Sequence, residues 1–185
     1  MPDTELGAAL LATARDVLDR AFGCERPAPR RVAALDEPGA TFVTLMQHGE
    51  LRGCIGTLRA HRPLRVDVEE NALAAAFRDP RFTPMLEPEL VSTRIEVSLL
   101  SASEPLALAG EQDLLQQLTP GVDGVVLEWR DRRATFLPQV WESLPDARDF
   151  LAALKRKAGL AADFWRDDVR VSRYSVSKWK EREPG

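Results

Sequence analysis

The sequence predicts an α+β fold, with a largely antiparallel sheet flanked by helices, on three observations. Two strand-like runs within residues 40 to 58 are joined by a glycine-bearing turn, and residues 93 to 100 alternate apolar with polar side chains. The helical segments lie between hairpins, without a regular βαβ alternation.

Leu6, Leu10, Ala14, Val17, Leu18 and Ala21 recur at helical spacing, with Thr4 as a cap and Gly23 as a stop, so residues 4 to 22 read as an amphipathic helix. Pro27 and Pro29 force an irregular connection. Residues 40 to 47 bring the β-branched and aromatic side chains of a strand, His48-Gly49-Glu50 supplies the turn, and residues 51 to 58 return as its partner. Pro63 opens a helix lined by Leu64, Val68, Ala72, Ala75 and Ala76, which Asp79-Pro80 ends. In the strand at 93 to 100, Ile95, Val97 and Leu99 face one way and Arg94, Glu96 and Ser98 the other.

Leu114, Leu115 and Leu118 mark a short helix before Pro120-Gly121, and residues 122 to 129 and 133 to 137 form a hairpin around Arg130-Asp131-Arg132. Asp146 caps a helix with Phe150, Leu151 and Leu154 on its core face, and Gly159 stands at its stop. Residues 169 to 176 read as the last strand and residues 178 to 185 as a frayed tail. No linker demands separate domains, so residues 1 to 185 read as a single domain; if it has two lobes, they divide at the turn at 119 to 124.

A chain of 185 residues buries roughly 70% of its unfolded surface, so neither a disulfide nor a metal is needed to hold it. The formal net charge of −4 argues against general nucleic-acid binding, which relies on Lys and Arg displacing counterions from phosphates. Lys155-Arg156-Lys157, the densest cationic run, closes a helix, where cations offset the helix dipole. Glu5, Arg15 and Asp16 interrupt the N-terminal apolar stretch, which leaves neither a signal-peptide core nor a membrane span. A cytoplasmic location, with free thiols at Cys24 and Cys54, is the expectation.

Arg52-Gly53-Cys54-Ile55-Gly56 is the most unusual stretch, because two glycines inside a strand give up side-chain packing and mark a bulge or a close backbone approach. A thiol between glycines is easily reached, and Arg52 stands two positions away. A mostly ionised nucleophile at neutral pH needs the ordinary cysteine pKa of ~8.5 lowered by about two units, or ~2.7 kcal/mol. An exposed ion pair supplies roughly 0 to 1 kcal/mol, so Arg52 alone falls short unless backbone amides or partial burial contribute. A small buried cysteine in a bulged strand is the competing reading.

His61, in the loop beyond Cys54, is the nearest candidate base if the chain folds back to it, and Glu96 either places a carboxylate over the sheet or, as its alternation favours, lies on a solvated face. Arg81 is a candidate anion contact in the turn that follows Asp79-Pro80, while His48 reads as a solvated turn residue. Two His and two Cys at these spacings match no zinc pattern, and neither a metal nor a cofactor is assigned. The Gly53-to-Gly56 spacing is shared with the GxxG clamp of RNA-binding KH modules, but that clamp joins two helices and these flanks read as strands.

Several blocks occur in a telling order. They are Leu51-Arg52-Gly53-Cys54-Ile55-Gly56-Thr57-Leu58, Ala74-Ala75-Ala76-Phe77-Arg78-Asp79-Pro80-Arg81-Phe82, Glu96-Val97-Ser98, Thr135-Phe136-Leu137-Pro138-Gln139-Val140-Trp141, Lys157-Ala158-Gly159-Leu160 and Phe164-Trp165. In this order the chain resembles the AMMECR domain family, whose bacterial and archaeal members are called AmmeMemoRadiSam system protein A. The resemblance implies an α+β fold with larger and smaller lobes and the Arg-Gly-Cys-Ile-Gly segment near a cleft. It also implies partnership with a Memo-like protein and a radical SAM protein, and it brings no settled activity, since fold and activity are separable.

Two functions stay open. In the first, the chain is a Cys-dependent enzyme or enzyme accessory: Cys54 is a nucleophile or transient covalent carrier for a small-molecule or peptidyl substrate. His61 or Glu96 then moves the proton, and Arg52, Gly53, Ile55, Gly56 and Arg81 hold the substrate. In the second, the glycine-rich strand is a non-catalytic binding or scaffold surface for the Memo-like or radical SAM partner, with Cys54 only a compact side chain.

Overall fold

The computed structural model describes residues 4–24 and 27–182. The fold is α+β, and the chain divides into two compact units, Met1–Leu100 with Ser177–Gly185 and Ser101–Val176. The division falls at Leu100/Ser101 and Val176/Ser177. The turn at 119 to 124, which the sequence offers as a boundary, lies inside the second unit, where Asp123 Oδ2 accepts the Thr119 amide at 2.7 Å and closes the turn locally.

The first unit holds α1 (Thr4–Ala21), β1 (Pro38–Gln47), β2 (Glu50–Gly56), β3 (Arg62–Pro63), α2 (Leu64–Phe77) and β4 (Thr93–Leu100). Its sheet runs β2-β1-β4 and then the final strand of the chain, Val176–Lys180, with β3 pairing the start of β1. The β1–β2 connection is the two-residue turn His48-Gly49, with φ of 50° and 82°, whose twist matches antiparallel strands. The alternation read in β4 places Ile95 and Val97 beside Val43 and Leu45 of β1, and all four are fully buried with Leu10 and Leu18 of α1 and Val68 of α2. Each such side chain contributes roughly 1.5 to 3 kcal/mol on burial.

A buried carboxylate fixes the start of α2. Asp67 accepts the Thr41 amide at 2.8 Å and the hydroxyls of Thr41 and Thr57 at 2.7 and 2.8 Å. It also accepts Arg62 Nε at 2.8 Å and Asn71 Nδ2 at 3.1 Å, so both oxygens are saturated and the charge is matched.

The second unit holds β5 (Glu104–Pro105), α3 (Glu111–Gln117), β6 (Gly124–Trp129), β7 (Arg132–Phe136), α4 (Ala147–Lys157) and β8 (Arg170–Tyr174), with sheet order β5-β8-β6-β7. Asp146 caps α4 by accepting the Arg148 and Asp149 amides at 2.8 and 3.2 Å, and Gly159 takes a φ of 76° at its stop. Trp141 stacks on Phe150 at 3.7 Å between ring centres, over Leu114, Leu151 and Leu154. Lys155, in the cationic run, is buried: its Nζ donates to Glu111 and to the Ala162 carbonyl and lies 5.7 Å from the Trp165 ring.

Two expectations for the C-terminal region are corrected. The strand read at 169 to 176 is two strands, β8 and β9 (Val176–Lys180), which join different sheets on either side of Ser175. The tail expected to fray from residue 178 is instead held in the first unit. Trp179 packs on the α1 core there, and Glu181 exchanges main-chain and side-chain bonds with Ile95 and accepts Arg15 Nε at 2.9 Å. Residues 183–185 lie outside the described residues.

Helix α2 rests so close on β2 that a Cβ at Gly53 would stand 2.1 Å from the Ala75 carbonyl oxygen. Gly53→Ala therefore pushes on main chain, and the expected loss is about 3 kcal/mol in urea denaturation. Gly121→Ala, where φ is 80° and nothing lies within 4 Å, is expected to lose about 1 kcal/mol. Equal losses for the two would remove the close approach as a constraint.

Candidate functional site

Gly53 pairs with Leu45 and Leu51 with Met46, so Arg52 has no partner in β1 and forms a bulge. Beyond it the alternation is regular. Ile55 turns inward onto the core, while Cys54 lies opposite Thr44, and Thr44 lies opposite Glu96 in β4. Directly opposed residues share a sheet face, so Cys54, Thr44 and Glu96 form one row on the face away from the helix core.

Thr44 Oγ1 donates to Cys54 Sγ at 3.2 Å, and the thiol is half-buried. Glu96 stands one strand further, about 10 Å from the sulfur at ordinary strand spacing. On its far side its carboxylate is held by Lys180 Nζ at 3.0 Å and faced by Lys178 at 3.9 Å, both on β9.

The outer edge of β2 is closed by side chains. Cys54 N donates to Asp79 Oδ2 at 2.9 Å, and Arg81 Nη2 donates to the Cys54 carbonyl at 3.3 Å and to the same Asp79 oxygen at 2.7 Å. Arg81 Nε and its main-chain amide donate to Asp79 Oδ1 at 3.0 and 3.1 Å. The Arg81 side chain, against an opposing push from burial, holds Asp79 well below the usual carboxylate range, and the Cys54 and Arg81 amides add to it. In return Asp79 raises the Arg81 guanidinium against burial.

Arg52 is engaged elsewhere. Its Nε and Nη2 donate to the two oxygens of Glu89 at 2.7 and 3.1 Å, and Nη2 also donates to the Thr83 carbonyl at 3.0 Å. Its charge is thus matched by a bidentate carboxylate, and the guanidinium beside Cys54 is that of Arg81. Phe82 lies between them, with its ring centre 6.0 Å from the Arg52 guanidinium carbon and 5.5 Å from that of Arg81.

The two glycines have internal reasons. Gly53 lies under the main chain of α2, and a Cβ at Gly56 would stand 2.2 Å from the Phe42 ring. His61 is exposed in the loop after β2, with Nδ1 3.0 Å from the Arg59 carbonyl, and no hydrogen bond joins it to Cys54 among the described residues. The structure therefore brings together Cys54, Arg81 and, across the sheet, Glu96. It leaves His61 apart, pairs Arg52 with Glu89 and turns Ile55 inward. Sequence reasoning missed Thr44, Asp79 and Glu89: Thr44 was legible from strand alternation, whereas Asp79 read as a helix stop and Glu89 carried no signal. Among the described residues no group of three or more His, Cys, Asp or Glu is placed to hold a metal ion, and no helix is long and apolar enough to cross a membrane.

Arg52, joined by the Leu86 amide, pushes Glu89 from an ordinary 4.5 down to about 2. A depressed folded value means that the stabilisation is complete well above pH 4.5 and is lost as pH falls through about 2. Glu89→Gln is therefore expected to cost on the order of 1 kcal/mol at neutral pH, discounted for the carboxylate's partial exposure. The cost should shrink to less than half of that near pH 3, as read by urea denaturation at both pH values. A cost independent of pH would mean that the Arg52–Glu89 charge pair does not stabilise the loop.

The AMMECR1 family profile matches residues 11–179. Protein MJ0810 of Methanocaldococcus jannaschii is 37% identical over 157 residues, which cover 80% of this chain and 76% of that protein. Protein SSO0193 of Saccharolobus solfataricus is 35% identical over 189 residues, covering 97% and 83%. The crystal structure of the uncharacterized protein PH0010 from Pyrococcus horikoshii superposes with a TM-score of 0.77 at 30% identity, covering 96% of this chain and 92% of that one. Matched along nearly its whole described length, the chain belongs to the AMMECR1 family.

Proposed function

We propose that the sheet face around the Cys54 sulfur, opposite the one on which α2 packs, is the working surface. There Cys54 serves as a nucleophile or transient covalent carrier for a small-molecule or peptidyl substrate, in a system shared with a Memo-like protein and a radical SAM protein. The observation that carries this reading is the Thr44 hydroxyl, which donates to the sulfur at 3.2 Å while Arg81 is clamped to the same residue's carbonyl. In attack on an electrophilic carbon, the sulfur forms the new bond as the leaving group departs with its electron pair. Arg81 is paired with Asp79 as Arg52 is with Glu89, but its side chain is 54% exposed against 13% for Arg52, which makes it the group that meets negative charge on the substrate. Glu96, about 10 Å away at ordinary strand spacing and held by Lys180, is out of reach of the sulfur's proton, which passes to solvent at the half-buried thiol.

The binding or scaffold reading also has an observation in its favour. The Cys54 amide already donates to Asp79, and Gly53 and Gly56 are covered by α2 and Phe42, so this stretch presents a rigid face more than a set of open main-chain donors.

Alkylation separates the two. Cys54 is expected to react with iodoacetamide at neutral pH at least about ten-fold faster than free cysteine, and Arg81→Gln to slow it about three- to ten-fold. Cys24, which is exposed, is first replaced by Ser so that a single thiol is read by mass spectrometry. With the partner proteins reconstituted, Cys54→Ser is expected to abolish turnover and Cys54→Ala to retain partner binding. Alkylation no faster than that of free cysteine, with Cys54→Ser fully active, would leave the scaffold reading.

A further inference from the structure

A second site lies in the first unit, built from α1, α2 and the segment at 27–35. These line an open cavity of about 420 Å³ whose wall carries Arg20, Arg30, Arg31 and Arg65 against two carboxylates, Asp16 and Glu69. Four guanidinium groups are thus gathered at one place, with Glu5 and Asp36 beside Arg30 and Arg31, in a chain whose formal net charge is −4.

The pairs within the cavity are loosely made. Arg20 Nε holds Asp16 at 2.9 Å, but Arg20 and Arg65 converge on the same Glu69 oxygen from 3.9 and 3.6 Å. Arg30 lies 3.2 Å from Glu5, and Arg31 lies 3.9 Å from Asp36. Side chains this exposed, 84% for Arg30 and 82% for Arg31, gain little from such contacts, because water and salt screen them. An anion that presents two oxygens to a guanidinium makes the stronger, bidentate pair and displaces them.

Pro27 and Pro29 restrict the backbone that leads to Arg30 and Arg31, and buried Leu35 anchors the segment against the core. Arg20 and Arg65 are set on two packed helices and Arg30 and Arg31 on the segment at 27–35, so the wall draws its arginines from separate elements. The cavity volume falls within the ordinary range for small-ligand sites, roughly 300 to 1,000 Å³.

We propose that this cavity binds a small free polyanion with two closely spaced phosphoryl groups, of the nucleoside diphosphate class, each phosphoryl group meeting one pair of arginines. The proposal is independent of the reading of Cys54.

Isothermal titration of the full chain with inorganic pyrophosphate, at roughly physiological ionic strength, tests it, with orthophosphate and a single-stranded RNA oligonucleotide as comparisons. Pyrophosphate is expected to bind once per chain and about ten-fold more tightly than orthophosphate. Arg30→Gln with Arg31→Gln, both exposed and outside the helices, should weaken it about ten-fold or more with the circular dichroism spectrum unchanged. Glu69→Gln, which removes the internal competitor for Arg20 and Arg65, should strengthen binding several-fold, whereas a mere loss of structure would weaken it. Cys54→Ala should leave it unchanged. Absence of saturable pyrophosphate binding, an affinity indifferent to the Arg30 and Arg31 changes, or tight RNA binding without pyrophosphate binding would each overturn the proposal.

Discussion

The contact between the Gly53 main chain and the Ala75 carbonyl sets the geometry of the first unit. With α2 lying directly on β2, residue 53 has no room for a side chain, and the strand has one acceptable register. That register sends Ile55 into the core and Cys54 to the other face. A slip by one residue would bury the thiol against the helix and expose the isoleucine. The bulge at Arg52 absorbs the mismatch between this register and the tight His48-Gly49 turn, and it frees Arg52 to reach across to Glu89. The character of the candidate site thus follows from a packing requirement on its opposite face.

The second determinant is electrostatic. A strand at the edge of a sheet presents unpaired main-chain groups that invite pairing with another chain. At Cys54 both groups are taken by Asp79 and Arg81, which act together as the donor and acceptor of an absent neighbouring strand. Asp79 is 4% exposed, so its charge needs the partner it has. Arg81, Phe82 and Arg52 then run in sequence toward Glu89, and the whole loop from 79 to 89 is tied to β2 by its ends. Asp67 does the corresponding task at the other end of α2, where it gathers Thr41, Thr57, Arg62 and Asn71.

Much of this fold was legible in the chain because its signals are local. The periodicity of α1, the turn between β1 and β2, the alternation of β4 and the Asp146 cap each depend on residues within one or two turns of one another. The misread features rest on distant pairings. The residue run around Ser175 has strand character throughout, and only the two sheets it joins show that it is two elements. At the site, the bulge and close approach signalled by the glycines were both real, but what approaches is the protein's own helix and a phenyl ring, which no spacing rule reveals. Arg52 was nearest to Cys54 in sequence, whereas Arg81 is nearest in chemistry, because Asp79 turns it back onto the strand. Burial of Lys155 was hidden for the same reason: its partners Glu111 and Ala162 come from other segments.

The position of β9 bears on how the molecule is made. The first unit is interrupted after Leu100 and completed only by residues from Ser177 onward, so its sheet lacks a strand until the second unit has been entirely synthesised. On the ribosome, β4 emerges with one flank uncovered, and the second unit, whose residues are contiguous, has all its parts first. Trp179 and Glu181 reach their places against α1 and β4 only after the second unit has been made. Assembly of the first unit thus waits on residues made after the whole of the second.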